Sequence, residues 1–320
     1  MEQKKIYVIT ENFIFANNQK WICDVLTDEF INYSKINITK NIDEADVIWI
    51  LQKNDNIYNL KKNGKKIITT IHHIPPKEEK RKYTEFIKYM KFLEEITDYY
   101  HVICDKVEID IKMFTSKKVI KANFWINESM YFFIKDKNNI KEKYNLPLDK
   151  MLIGSFQRDC DGNENSLKPK YSKGPDIFIN ILKDIKNDSN IHVILTGRMR
   201  KYVIANLEEN KINYSYFEMV PQIILNELYN CLDLYIVSSR IEGGPRSIME
   251  CGLTKTPIIS TDVGIAKLIL PDINIYDVND YMTYKQANPY QNIEQIYKNT
   301  ENFSIEKYME KFVRTIFTNI

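Results

Sequence analysis

Short apolar runs recur along the chain, and between them lie longer stretches in which apolar side chains return every three or four positions. The first pattern reads as buried strand and the second as amphipathic helix. Ile6 to Thr10 is the first predicted strand. Trp21, Ile22, Val25, Leu26 and Phe30 then repeat with helical period behind a cap at Asn17 or Asn18. A short strand at Ile36 to Thr39 and a clearer one at Val47 to Leu51 follow, the latter after the acidic turn Asp43 to Asp46. Ile57 to Lys62 reads as a short helix stopped by Asn63-Gly64, and Ile67 to Ile71 as another buried strand. Lys77 to Thr97 is a long helix with Phe86, Tyr89, Met90 and Leu93 on one face. Strands at Tyr99 to Asp105 and Val119 to Trp125 close the first half. Strands alternating with helices predict a parallel, doubly wound sheet.

The same rhythm restarts after a stretch between Met130 and Pro147 in which Lys, Asp and Asn cluster. Strands are predicted at Met151 to Phe156, His192 to Thr196, Leu234 to Val237 and Pro257 to Ser260. Helices are predicted after Lys173-Gly174-Pro175-Asp176, through Leu225, Leu228, Tyr229 and Leu232, and from Pro245 to about Leu253. Near the end, Ser304 precedes a stripe of Ile305, Tyr308, Met309, Phe312 and Ile316. The expected organisation is a first domain over residues 1–136, a second over 137–301, and a last helix over 302–320.

Composition narrows the class. A chain of 320 residues suits about two domains. Hydrophobic residues make up 44% and charged residues 28%, as in a soluble globular protein. A net charge of +2 supplies no field that would draw nucleic acid. Five Cys without a Cys-x-x-Cys spacing fit free thiols and a reducing, cytoplasmic setting, with Cys104, Cys231 and Cys251 in or beside apolar runs. No apolar run reaches the ~18 residues of a membrane helix. The run Ile6 to Ile9 behind Lys4-Lys5 is too short for a signal peptide and suits a strand. Neither a Gly-x-Gly-x-x-Gly nor a phosphate-loop motif occurs.

The chemistry concentrates between Leu234 and Gly264. After the strand come Ser239-Arg240-Ile241-Glu242-Gly243-Gly244-Pro245, then a helix carrying Glu250 eight positions beyond Glu242. Gly243 and Gly244 allow a sharp turn and a close ligand approach. Pro245 suits the first helical position. Ligands in open α/β sheets sit at the carboxyl ends of strands, where helix N-termini favour anions. From Pro245 to Glu250 the helix rises ~7.5 Å. That is the reach needed if one carboxylate holds a sugar, the helix start a diphosphate and the other carboxylate a ribose.

This stretch resembles the donor-binding motif of the retaining glycosyltransferases of family 4 (glycosyl transferases group 1). Ser239, Arg240, Glu242, Gly243, Pro245, Glu250, Pro257, Thr261 and Gly264 match it, whereas Lys255 and Ile265 stand where the family usually has Gly. The resemblance implies an α/β GT-B fold, with two Rossmann-like doubly wound domains facing a central cleft. It implies Glu250 on the ribose hydroxyls, Glu242 on the sugar, and the backbone of Gly243, Gly244 and Pro245, with Ser239, around the donor. Arg158 and Lys173 match the family's Arg and Lys-Gly that meet the donor diphosphate, with a longer gap between them than usual. Gly197 matches a family glycine after a strand, and Arg198 and Arg200 beside it either add positive charge near the phosphates or are solvated. Tyr216, Phe217 and the segment Val220 to Leu225 would frame the nucleobase, and the last helix would cross back onto the first domain.

His72 matches a family histidine that faces the transferred sugar. It reads either as a hydrogen-bond partner of sugar or incoming hydroxyl, or as a strand-end histidine bonded to a loop carbonyl. His72 and His73 point to opposite faces and make poor joint metal ligands. The Lys-rich helix 77–97 either rests on an anionic membrane near a lipid-linked acceptor or, with its interleaved Glu residues, is a solvated face. Asp159-Cys160-Asp161 has the form of the metal signature of GT-A transferases but sits beside Arg158 in the second half, so the metal reading is rejected. Residues Glu11 to Lys20 contain no glycine, where the family has a Gly-rich loop.

The resulting expectation is a metal-independent retaining transferase. It takes a nucleotide-diphosphate sugar, with uridine the base favoured, and a glycan or lipid-linked acceptor. Two alternatives stay open: a binding protein that keeps the donor site without transfer, and a metal-dependent GT-A enzyme.

Overall fold

The computed structural model of the chain describes residues 4–11, 20–60, 63–318 and 320. The predicted helix cap at Asn17 or Asn18, most of the glycine-free loop 11–20, and the end of the short helix at 61–62 lie outside the described residues. The chain divides into two units, one of Met1–Trp125 with Ser304–Ile320 and one of Ile126–Phe303.

The first unit is a parallel five-stranded sheet in the order β1 (Ile6–Ile9), β2 (Val47–Ile50), β3 (Lys66–Ile71), β4 (Tyr99–Val102), β5 (Val119–Lys121). Its helices are α1 (Ile22–Tyr33), α2 (Lys80–Ile96) and α3 (Asp105–Ile111). The expected strand at Ile36 to Thr39 survives as a single parallel bridge from Ile38 to Ile6, on the side of β1 away from β2. The chain therefore reverses direction across the sheet at β1, which makes the unit doubly wound.

An aromatic core holds this unit. The rings of Phe30 and Trp49 meet at 4.9 Å, and those of Trp125 and Phe312 at 5.0 Å. Phe312 belongs to the C-terminal helix Ile305–Phe317, whose apolar stripe, led by Phe312 and Ile316, is buried and which packs against α1. His101 lies fully inside the same core. The Trp49 indole N–H donates to Thr70 Oγ1 at 2.9 Å, the Thr70 hydroxyl donates to His101 Nδ1 at 2.9 Å, and His101 Nε2 donates to the Ala122 carbonyl at 2.9 Å. Burial pushes the His101 pKa down to about 4, so the ring is neutral in this chain of bonds.

The second unit has a parallel sheet built from β6 (Met151–Ser155), β7 (Ile191–Thr196), β8 (Tyr214–Phe217), β9 (Leu234–Val237), β10 (Ile258–Thr261) and β11 (Ile275–Tyr276). Their spatial order is β11-β10-β9-β6-β7-β8. The chain moves outward from β6 to β8 and returns to lay β9 beside β6. That reversal leaves a crevice at the carboxyl ends of β6 and β9. The helices are α4 (Lys137–Lys143), α5 (Pro175–Asp188), α6 (Lys201–Glu209), α7 (Gln222–Cys231), α8 (Arg246–Thr254), α9 (Ala266–Ile269) and α10 (Ile293–Glu301); the C-terminal helix is α11. All four residues of β9 and of β10 are buried, as strands covered on both faces require.

Three differences from the sequence reading bear on how the units are built. The first boundary falls after Trp125, not residue 136, because two buried Asn side chains of α7 already hold the segment beyond it. Asn226 Oδ1 accepts from the Phe132 N–H at 3.0 Å, and Asn230 Oδ1 from the Ile134 N–H at 2.7 Å. The strand expected to reach Trp125 ends at Lys121, and the Trp125 indole turns inward to donate to Glu29 at 2.9 Å. Pro245 is the N-cap of α8, with extended backbone, and Arg246 opens the helix.

Candidate functional site

The site begins where β6 and β9 end. Beyond β6 come Gln157, Arg158 and Asp159. Residues 160 to 172 form an excursion that closes on itself. Cys160 bridges Pro169 in antiparallel fashion, Asp161 N–H donates to the Lys168 carbonyl at 2.8 Å, and Lys170 N–H to the Asp159 carbonyl at 2.8 Å. These residues therefore leave and return at one place, and Lys173 comes back near Arg158.

Gly174 follows at φ +58, a left-handed conformation open to glycine. A Cβ there would lie 2.0 Å from the Ser238 carbonyl, so only glycine lets this loop lie on the end of β9. Several bonds fasten the two loops. The N–H groups of Arg240 and Ile241 donate to the Ser172 carbonyl at 2.8 and 3.1 Å, and the Ser238 hydroxyl donates to the Lys173 carbonyl at 3.2 Å. Gln157 donates to the same carbonyl at 3.1 Å and accepts from the Ser239 hydroxyl at 3.2 Å. On the other side, Gly264 (φ +56) packs against Gly243, where a Cβ would sit 2.5 Å from the Gly243 carbonyl oxygen.

The result is an ion pair between Lys173 and Glu242, both largely shielded, with the Lys173 ammonium and a Glu242 carboxylate oxygen in contact. Burial pushes the Lys173 pKa down to about 7, and the nearby charges of Lys170 and Arg158 act the same way. Eight positions on, Glu250 is 6% exposed, accepts from the buried Tyr229 hydroxyl at 2.7 Å and lies 3.7 Å from Arg246 Nε. Burial and the Glu250 charge both raise the Tyr229 pKa, so this hydroxyl stays a donor.

Other expected residues are placed as follows. Arg158 Nε donates to the Cys160 carbonyl at 3.0 Å, within its own loop. Ser239, expected beside the donor, is fully buried, and its hydroxyl is spent on Gln157. Gly197 has φ +82, and its carbonyl accepts from the Tyr216 hydroxyl at 2.9 Å. Arg198 pairs with Glu164 and lies 3.9 Å from Glu218. Arg200 is neither solvated nor free for phosphate. It is 1% exposed, ion-paired to Asp159 at 2.7 Å and bonded to the carbonyls of Ser155 and Thr196 at 2.6 Å each. It ties the ends of β6 and β7 together, and it occupies the first carboxylate of Asp159-Cys160-Asp161.

His72 lies in the first unit, just beyond β3. Its Nε2 lies 2.7 Å from the Leu51 carbonyl, and burial lowers its pKa. Sequence reasoning missed the pairing of Arg240 with Asp176, two Nη–Oδ bonds of 2.8 and 2.6 Å between residues far apart in the chain. It also missed Arg246 beside Glu250; an Arg four residues before a Glu on one helix face was the available signal. Among the described residues no group of three His, Cys, Asp or Glu side chains could hold a metal ion, and no helix is long and apolar enough to cross a membrane.

Residues 165–298 match the family model described as glycosyl transferases group 1. No curated protein matches the chain in sequence. Among solved structures, Anabaena HepE in complex with UDP and glucose has a TM-score of 0.73 at 12% identity, over 99% of this chain and 100% of that one. A glycosyltransferase from Rickettsia africae has a TM-score of 0.68 at 14% identity, with both chains covered in full at 100%. Sucrose-phosphate synthase from Thermosynechococcus elongatus has a TM-score of 0.69 at 13% identity, over 93% of this chain and 78% of that one. The matched segment contains Lys173, Glu242 and Glu250 and carries the motif that first suggested the resemblance. Residues 165–298 of the second unit thus match glycosyl transferases group 1, and the chain has the fold of GT-B glycosyltransferases.

Proposed function

We propose that the protein transfers a sugar from a nucleoside-diphosphate sugar to an acceptor hydroxyl, with retention at the anomeric carbon and without a metal ion. The observation that carries this reading is the Lys173–Glu242 pair at the carboxyl ends of β6 and β9, with Glu250 along α8 from it. Glu250 takes the ribose hydroxyls and Glu242 the sugar. Lys173, Arg158 and the N–H groups of Gly243 and Gly244 meet the diphosphate as it leaves. Charge on a departing diphosphate is what such preorganised donors stabilise best. The bond from the anomeric carbon to the phosphate oxygen breaks, the acceptor oxygen bonds to that carbon on the same face, and its proton passes to the leaving phosphate. Uridine is the base proposed, and HepE, solved with UDP and glucose, lends support through its fold. The acceptor is a glycan or a lipid-linked glycan. The setting is cytoplasmic, which five buried free thiols suit. On α2, the exposed Arg81 and Glu85 lie 3.8 Å apart one turn from each other, which favours a solvated face over a membrane-bound one; sedimentation with anionic vesicles checks this.

A thermal-shift panel of nucleotides and nucleotide sugars tests the reading. A ligand at 100 times its dissociation constant adds about 2.7 kcal/mol. Glu250→Ala and Arg158→Ala should each weaken nucleotide binding, and unchanged affinity in both removes the site assignment. Binding with neither a transfer product nor slow donor hydrolysis would leave a binding protein instead. Activity abolished by a chelator would remove the metal-free mechanism.

A further inference from the structure

We propose that Arg240 is a positioning residue that sets Lys173 against Glu242 by clasping the loop after β9 to the start of α5; this rests on the function proposed above. The guanidinium spans two groups on the Lys173 side of the site. It grips both carboxylate oxygens of Asp176, at 2.8 and 2.6 Å, in the first turn of α5, and it covers the Tyr171 ring at 4.8 Å from its centre. Tyr171 and Asp176 bracket Lys173 in sequence. The backbone of the same arginine donates to the Ser172 carbonyl at 2.8 Å. One residue thus holds both flanks of Lys173 from a position two residues ahead of Glu242.

A planar fork suits this task in a way an ammonium does not, because bidentate pairing and ring stacking fix orientation as well as distance. The pair is only partly shielded, with side-chain exposures of 21% and 38%, so its stabilising effect alone is small. Its geometric effect is larger, since the Lys173 ammonium must meet a diphosphate and a carboxylate together. Asp176, in turn, sits where a helix start favours a carboxylate.

The test is calorimetric titration of the full chain with uridine diphosphate, alongside thermal melting. Arg240→Met should weaken binding ten- to a hundredfold, as Lys173→Met should, and the double variant should bind no worse than Lys173→Met alone. Arg240→Lys, which keeps the charge but loses the fork, should fall between wild type and Arg240→Met. The exchanged pair Arg240→Asp with Asp176→Arg should regain part of the affinity. Wild-type affinity in Arg240→Lys and Arg240→Met, with only a lower melting temperature, would overturn the proposal, as would losses that multiply in the double variant. If the wild-type chain binds no nucleoside diphosphate at all, the proposed function fails instead.

Discussion

Gly264 lies so close to Gly243 that a Cβ on it would stand 2.5 Å from the Gly243 carbonyl oxygen. The contact joins the loop after β10 to the turn that carries Glu242. Gly174, also left-handed, lies against the Ser238 carbonyl where the same loop begins, so a glycine packs at each end of the segment from Ser238 to Gly243.

Gly264→Ala should therefore act on the ligand site as well as on stability. A left-handed alanine costs about 1 to 2 kcal/mol before any displacement of the Gly243 carbonyl. Affinity for uridine diphosphate is expected to fall roughly tenfold, equivalent to about 1.4 kcal/mol. Calorimetric titration reads this directly, and an unchanged dissociation constant would mean that the turn tolerates the shift.

The depressed pKa of Lys173 makes diphosphate binding depend on protons. Free protein loses the Lys173 proton as pH rises through about 7, whereas a bound diphosphate favours the charged ammonium. Binding at pH 8 should take up close to one proton, and affinity should decline above pH ~7. Titrations in buffers of different ionisation enthalpy measure the uptake. Lys173→Met should abolish it, and persistence of the uptake in that variant would assign the proton elsewhere.

Lys255 ends α8 with φ +54, a position that favours glycine. Its ammonium compensates by lying 5.4 Å from the centre of the Phe133 ring, 4.9 Å from that of Tyr297 and 2.6 Å from Glu294. Lys255→Gly gives up these contacts but relieves the backbone, so its stability should stay within about 1 kcal/mol of wild type. Lys255→Ala keeps the strained backbone and loses the contacts, and should cost about 1 to 2 kcal/mol. Denaturant midpoints rank the three, and alanine matching glycine would refute the compensation.

His101 should make the first unit sensitive to mild acid. Its folded pKa of about 4 lies below the ordinary 6.5, so between those values the unfolded chain binds a proton that the folded chain does not. Stability contributed by the neutral ring is present above pH 6.5 and is lost as pH falls towards 4, by about 3 kcal/mol in all. All three tryptophans precede residue 126, so their fluorescence follows this unit in urea titrations at each pH. His101→Gln should flatten the slope, and an equal slope in both proteins would exclude His101 as its source.

The strands and helices were legible because buried parallel strands and amphipathic helices have distinct periods, as β9 and α5 illustrate. The motif from Ser239 to Glu250 was legible because its residues are local. What stayed hidden depends on long-range meetings. The burial of Arg200 against Asp159 and the Arg240 fork on Asp176 join residues far apart in the chain. The same charged side chain can lie in solvent or in a core, and only the fold decides. The boundary at Trp125 was missed because polar composition between 130 and 147 resembles a linker, whereas α4 within it packs on α7.

Phe312 completes the ring cluster around Phe30, Trp49 and Trp125, yet it arrives nearly two hundred positions after the last of them. During synthesis, residues 126–303 emerge as one uninterrupted stretch and can fold as soon as they clear the ribosome. The amino-terminal strands, although made first, must wait for the final helix before their interior is sealed. A truncation before Ser304 would strand them as an open, aggregation-prone intermediate.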